Sequence, residues 1–209
     1  MSVAYEMVEG KAIAVPATRP RYRFSLADYM QMIEFGILDE NDNLELIRGE
    51  LVQKMTIGDP HAACVDRLTR LFSRLFEEDV AIVRIQNPVI VLDSRPEPDV
   101  VLAVSRDDDY ATSTPLAADV LLLIEVADSS LEYDRTEKLS LYAEAGVCEY
   151  WIANLIDECV EVHRDPKPNG TYADERVLKF GETLNIVRLP GISVPVEDIF
   201  KGRLAPSDS

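Results

Sequence analysis

Glu97-Pro98-Asp99-Val100-Val101-Leu102-Ala103-Val104 and Val120-Leu121-Leu122-Leu123-Ile124-Glu125-Val126 are the stretches on which the reading of this chain turns. Each is an aliphatic run of strand length, and each carries an acid: Asp99 ahead of the first, Glu125 near the close of the second. If the runs pair in one sheet, both carboxylates reach one edge of it. Carboxylates about 4 Å apart repel by roughly 4 kcal/mol at an effective dielectric of about 20, so such a pair takes up a proton or a cation. Oxygen ligands without a thiolate or histidine cluster favour magnesium or manganese over zinc. Lys138, on the next predicted helix, would bring an ammonium to steady an attacking water or charge growing on phosphoryl oxygens. Taken singly, a Pro-Asp before a strand is ordinary turn chemistry and a helical lysine is ordinarily solvated. A carboxylate directly after five apolar residues is different, because burying it unpaired is costly.

Outward from these runs, the pattern predicts a mixed α/β domain. Residues 1–20 carry no sustained period and read as an extended or mobile N-terminal arm, with a single domain over 21–209. Ser25 caps a first helix that Gly36 ends. Leu44 to Ile47, Arg48-Gly49 and Glu50 to Val52 form a predicted hairpin. Asp59-Pro60 opens a second helix running from His61 to about Phe76. Val80 to Gln86 and Val89 to Leu92 read as two strand segments. A helix starts at Asp134 to Glu137 and stops at Gly146, and Tyr150 to Ala153 with Cys159 to His163 forms a hairpin. Small strands and a closing turn at Pro195 to Phe200 complete the chain.

Composition narrows the function classes. The longest apolar run, Val120 to Ile124, is far below the roughly 20 residues a membrane span needs, and no secretory signal is expected at the N-terminus. Cys64, Cys148 and Cys159 are scattered and odd in number, which suits free thiols in a reducing cytoplasm. His61 and His163 stand apart, so a structural zinc site is not expected. A formal net charge of -17 opposes non-specific binding to DNA. Arg67, Arg70 and Arg74 share one face of the second helix, either as a solvated stripe or as phosphate contacts.

Glu97-Pro98-Asp99, Ile124-Glu125-Val126-Ala127-Asp128-Ser129-Ser130, Asp134 to Tyr142 and Ala145 to Trp151 resemble, in order, motifs of the bacterial Uma-two family of restriction endonucleases, within the PD-(D/E)XK nuclease superfamily. Leu44 to Leu51 and Gly58 to His61 also match, so the resemblance spans about Arg21 to Arg164. It implies a restriction-endonuclease-like core, a central mixed sheet flanked by helices. It further implies Asp99 and Glu125 as metal-binding acids, with the Val126 carbonyl as a further ligand. The superfamily lysine, expected two residues after Glu125, is replaced by Ala127; Lys138 matches the position where this family carries it on the following helix. Glu45, Glu50 and His61 match further motif positions, with Glu50 or His61 a candidate for a second metal or a proton relay.

The expectation is a magnesium- or manganese-dependent endonuclease that hydrolyses DNA phosphodiester bonds through metal-activated water. Cutting both strands with one site per chain would favour a twofold homodimer. The alternative is a binding or regulatory module that keeps the nuclease fold without turnover, favoured by the negative charge and by Ala127. A metal-free glycoside hydrolase ranks last, because a sugar cleft needs several aromatics and the chain has few.

Overall fold

The computed structural model describes residues 5–8, 11–14, 21–75 and 80–200. Its centre is a six-stranded sheet in the order β10-β9-β8-β7-β6-β5. These strands are β5 (Ala81–Ile85), β6 (Val100–Val104), β7 (Val120–Ala127), β8 (Glu149–Asn154), β9 (Cys159–Lys167) and β10 (Thr171–Leu178). Only the β7–β8 neighbours run parallel, so the sheet is mixed. The parallel step needs a crossover, and three helical pieces without a break supply it: α3 (Leu131–Tyr133), a π-helical turn (Asp134–Lys138) and α4 (Leu139–Glu144).

Alternation along β6 and β7 divides the core between the two faces of the sheet. Val100, Leu102, Leu122, Ile124 and Val126 pack under α2 (Asp59–Leu75), whose Cys64, Leu68 and Phe72 point inward. Val101, Ala103, Leu123 and Ala127 face the other way, toward Leu141, Tyr142 and Ala143 of α4. Each wholly buried leucine or isoleucine contributes about 1.5–3 kcal/mol of transfer free energy. The same parity decides the site. Asp99 precedes Val100 and Glu125 follows Ile124, so both acids point to the α4 face.

A hairpin of β3 (Leu44–Ile47) and β4 (Glu50–Gln53) covers that face. Its two-residue turn has positive φ at Arg48 and Gly49. Glycine is required at 49, since a Cβ there would lie 2.8 Å from the Arg23 Cβ and 2.9 Å from the Phe24 carbonyl oxygen. Arg48 locks the hairpin to the crossover through Glu137 at 2.7 Å and Glu144 at 2.8 Å. β11 (Thr183–Ile186), β12 (Leu189–Pro195) and α5 (Val196–Phe200) pack with α2 on the opposite face. The first helix, α1 (Leu26–Glu34), has the expected Ser25 capping box, and Gly36 follows its end.

Several boundaries differ from the sequence expectation. The crossover helix begins at Leu131 rather than Asp134. Val89 to Leu92 makes only isolated bridges, because Leu92 takes φ 52 and the chain turns there. The closing turn is a short helix, α5. Within the expected N-terminal arm, β1 (Tyr5–Val8) pairs with β2 (Lys11–Ala14). The rest of that arm, and Phe76 at the expected end of the second helix, lie outside the described residues. Among the described residues, no helix is long and apolar enough to cross a membrane.

Candidate active site

Continuing the β6–β7 register by one residue sets Asp99 opposite Glu125 at the sheet edge. The side chains meet there. The Asp99 backbone N–H donates to Glu125 Oε2 at 3.3 Å, and the Val126 N–H donates to Asp99 Oδ2 at 2.9 Å. Both acids are largely withdrawn from solvent, Asp99 at 8% and Glu125 at 4% exposure. They lie on the floor of a cleft of about 930 Å³. One wall is β4 with residues 54–57 following it, and the other is the start of the crossover helix.

Lys138 reaches this floor from the π-helical turn. Its amine donates to Glu125 Oε1 at 2.9 Å and lies 3.6 Å from Glu45 Oε1. A π turn inside a helix often marks a functional site, and this one leaves Asp134 and Lys138 both buried. Tyr142, one turn further on, donates to the same Glu125 Oε1 at 2.7 Å. Asp99 has its own partners: His61 Nε2 at 3.0 Å from Oδ2, and the Gln86 amide, donating to Oδ1 at 3.3 Å. His61 comes from the first turn of α2, whose N-terminus therefore abuts the acids.

The electrostatics follow from crowding acids in a poorly solvated space. Burial pushes the Glu125 carboxyl up to about 8, with Lys138 opposing that shift and Asp134, Asp99 and Glu45 adding to it. Burial alone would lower Lys138, but Glu125, Glu45 and Asp134 outweigh it and hold the amine protonated. His61 shows the same competition: burial works against its charge, and Asp99 raises the ring above the ordinary histidine value. Burial also raises Asp134 and pushes the Tyr133 hydroxyl up to about 12. Three buried atoms at or near the cleft have no hydrogen-bond partner: Glu45 Oε2, His61 Nδ1 and the Tyr133 hydroxyl.

The donor set suits a hard divalent cation. Glu125 Oε2 and Asp99 Oδ1 each carry a single long hydrogen bond, so both retain lone pairs for a ligand. Among the described residues, no three histidine, cysteine or acidic side chains converge on one ion. Two carboxylates alone would leave most positions around such a cation to water, as magnesium prefers. Zinc, which favours nitrogen and sulfur in closed sites, fits poorly.

Of the residues expected from sequence, Asp99, Glu125, Lys138, Val126 and His61 come together. Glu50 does not: it is half exposed at the hairpin turn, 3.3 Å from Arg23, and does not line the cleft. Arg67 is occupied by the Ile199 carbonyl, while Arg70 and Arg74 are exposed on α2. Sequence reasoning missed Gln86 and the polar role of Tyr142. The signal for Tyr142 was present, since Asp134, Lys138 and Tyr142 recur at intervals of four and fall on one helical face.

Comparison with known proteins bears on the family and the fold. A family model described as "Putative restriction endonuclease", Uma2, matches residues 26–197. Among solved structures, a "putative nuclease belonging to DUF820 from Anabaena variabilis ATCC 29413" superposes with a TM-score of 0.68 at 15% identity. The match covers 85% of this chain and 97% of that one; identity so low speaks for a shared fold. A search among curated proteins finds no match.

Proposed function

The chain belongs to the Uma2 family, and on that premise we propose that it is a metal-dependent endonuclease hydrolysing DNA phosphodiester bonds. The observation that carries this reading is the convergence of Asp99, Glu125 and Lys138 within one cleft, with an acid oxygen open on each carboxylate. Asp99 Oδ1, Glu125 Oε2 and the Val126 carbonyl would hold magnesium or manganese. When bound, that cation supplies Lewis acidity to a phosphoryl oxygen and makes water a better nucleophile at neutral pH.

The protein's own groups do the rest. Lys138 stays protonated and offers N–H donors where negative charge grows on the phosphoryl group, in a site where low solvation strengthens each such bond. His61 fixes the Asp99 carboxylate from one side and the Val126 N–H fixes it from the other. The cleft walls exclude bulk water from the two acids, both almost wholly buried.

The test is nicking of supercoiled plasmid in magnesium or manganese by wild type, Asp99→Ala and Glu125→Ala. Wild type nicks, and both variants lose metal-dependent nicking. Equal nicking by all three removes the assignment. One observation favours a second reading, a nuclease fold that binds without turnover: the Lys138 amine already lies between Glu125 and Glu45. Calorimetric titration with manganese separates the two, because a site that takes up no metal at millimolar concentration performs no metal-dependent chemistry.

A further inference from the structure

We propose that Tyr142 is a positioning residue that fixes the rotation of the Glu125 carboxylate so that Oε2 faces the cation site. The inference rests on the reading of Glu125 as a cation ligand. It starts from a mechanical problem: the terminal torsion of a glutamate is broad and roughly twofold, so an untethered carboxylate presents either oxygen over a wide arc. At Glu125 one oxygen is tethered twice. Oε1 accepts from Tyr142 at 2.7 Å and from Lys138 at 2.9 Å, while Oε2 is left with the long contact to the Asp99 N–H at 3.3 Å.

The two tethers are not equivalent. Lys138 ends a flexible stem, and its amine is shared with Glu45. Tyr142 is rigid below its hydroxyl and wholly buried. Its ring is held edge-to-face by Tyr150 at 5.1 Å between centroids. The phenol therefore sets where Oε1 can lie, and Oε2 follows. Partners that orient a metal-binding side chain from behind typically contribute about 10–100-fold to metal affinity.

A mere need to satisfy a buried hydroxyl would produce the same hydrogen bond, so the experiment includes a matched control. Tyr150 is also wholly buried, and its hydroxyl donates to the Asp134 carbonyl at 3.2 Å, without touching either acid. Tyr142→Phe and Tyr150→Phe each delete one hydroxyl from the same aromatic cluster. Manganese affinity is read by calorimetry, and near-UV circular dichroism reports the fold. Tyr142→Phe is expected to lose about 10–100-fold in affinity, Tyr150→Phe to stay near wild type, and nicking by Tyr142→Phe to recover as manganese is raised. In a Glu125→Ala background, adding Tyr142→Phe changes nothing further. Wild-type affinity in Tyr142→Phe, or an equal loss in Tyr150→Phe, overturns the inference and leaves the nuclease reading intact. A wild-type protein that takes up no manganese removes both.

Discussion

Two buried glutamates stand on neighbouring parallel strands and are satisfied in opposite ways. Glu149 begins β8, three residues before Ile152, which is the partner of Glu125 on β7. Glu149 is wholly buried and saturated. Its Oε1 accepts from the Trp151 indole at 2.8 Å and from Arg164 Nε and Nη2 at 2.9 and 2.8 Å, and its Oε2 accepts from the Val187 N–H at 2.7 Å. Arg164 also donates to the Asn185 carbonyl, so this acid ties β8 and β9 to the β11–β12 segment. Glu125 is as deeply buried, yet one of its oxygens is nearly free, other acids surround it and a cleft opens above it. Burial alone does not distinguish an acid saturated with donors from one that keeps an oxygen to spare. The count of strong donors on each oxygen does.

The largest effect expected from this contrast is on stability. Glu149→Ala leaves a half-buried guanidinium, an indole N–H and a backbone N–H without their acceptor, and breaking such a pair costs about 3–5 kcal/mol. Glu125→Ala should cost less: it leaves the buried Tyr142 hydroxyl without its acceptor, but Lys138 retains Glu45 and the repulsion among the remaining acids is relieved. Urea unfolding of both variants measures the difference. Equal losses would break the comparison.

A smaller effect should appear with pH. The Glu125 carboxyl, pushed up to about 8 by burial, favours the folded state most while it carries a proton. That contribution is fully present below the ordinary glutamate value and is lost as pH rises through about 8. Metal-free wild type should therefore lose stability between about pH 5 and 8, and Glu125→Gln, which cannot ionise, should lose less. His61 is raised as well and weakens over part of the same range, so the difference between the two proteins isolates Glu125. Thermal melts at several pH values measure it, and a difference that stays constant contradicts the assignment.

This division was half legible in the sequence. Asp99 and Glu125 stood out because each carries a charge against an aliphatic run, and strand parity then put both on one face. The hairpin at Arg48-Gly49 and the caps of α1 were readable because turns and caps are local chemistry. Glu149 could not be picked out. Arg164 faces it across the β8–β9 hairpin, but the Val187 donor comes from 38 residues away, between β11 and β12, and only the tertiary fold brings it there. Glu45 was visible as a motif position, but its contact with Lys138 depends on the hairpin docking on the crossover helix through Arg48. The π turn was not legible, since nothing in Asp134 to Lys138 departs from ordinary helical composition.

The smallest effect concerns how the cleft meets a polyanion. Its basic lining residues are Lys54, His61 and Lys138, and each already lies against a carboxylate: Glu97 at 2.6 Å, Asp99 at 3.0 Å and Glu125 at 2.9 Å. Phosphates gain affinity by displacing counterions with free cations, and the salt slope counts those contacts. The slope for DNA binding should therefore be shallow, no steeper than about -2 on logarithmic axes. Glu97→Gln removes the partner of Lys54 at the cleft wall while leaving Asp99 and Glu125 in place. It should raise DNA affinity and steepen the slope by about one unit, the value of a single added phosphate contact. Fluorescence anisotropy with a labelled oligonucleotide at several salt concentrations reads both quantities. A steep slope in wild type would mean that phosphate is held by cations outside the cleft, with Arg70 and Arg74 on the exposed side of α2 the first to replace.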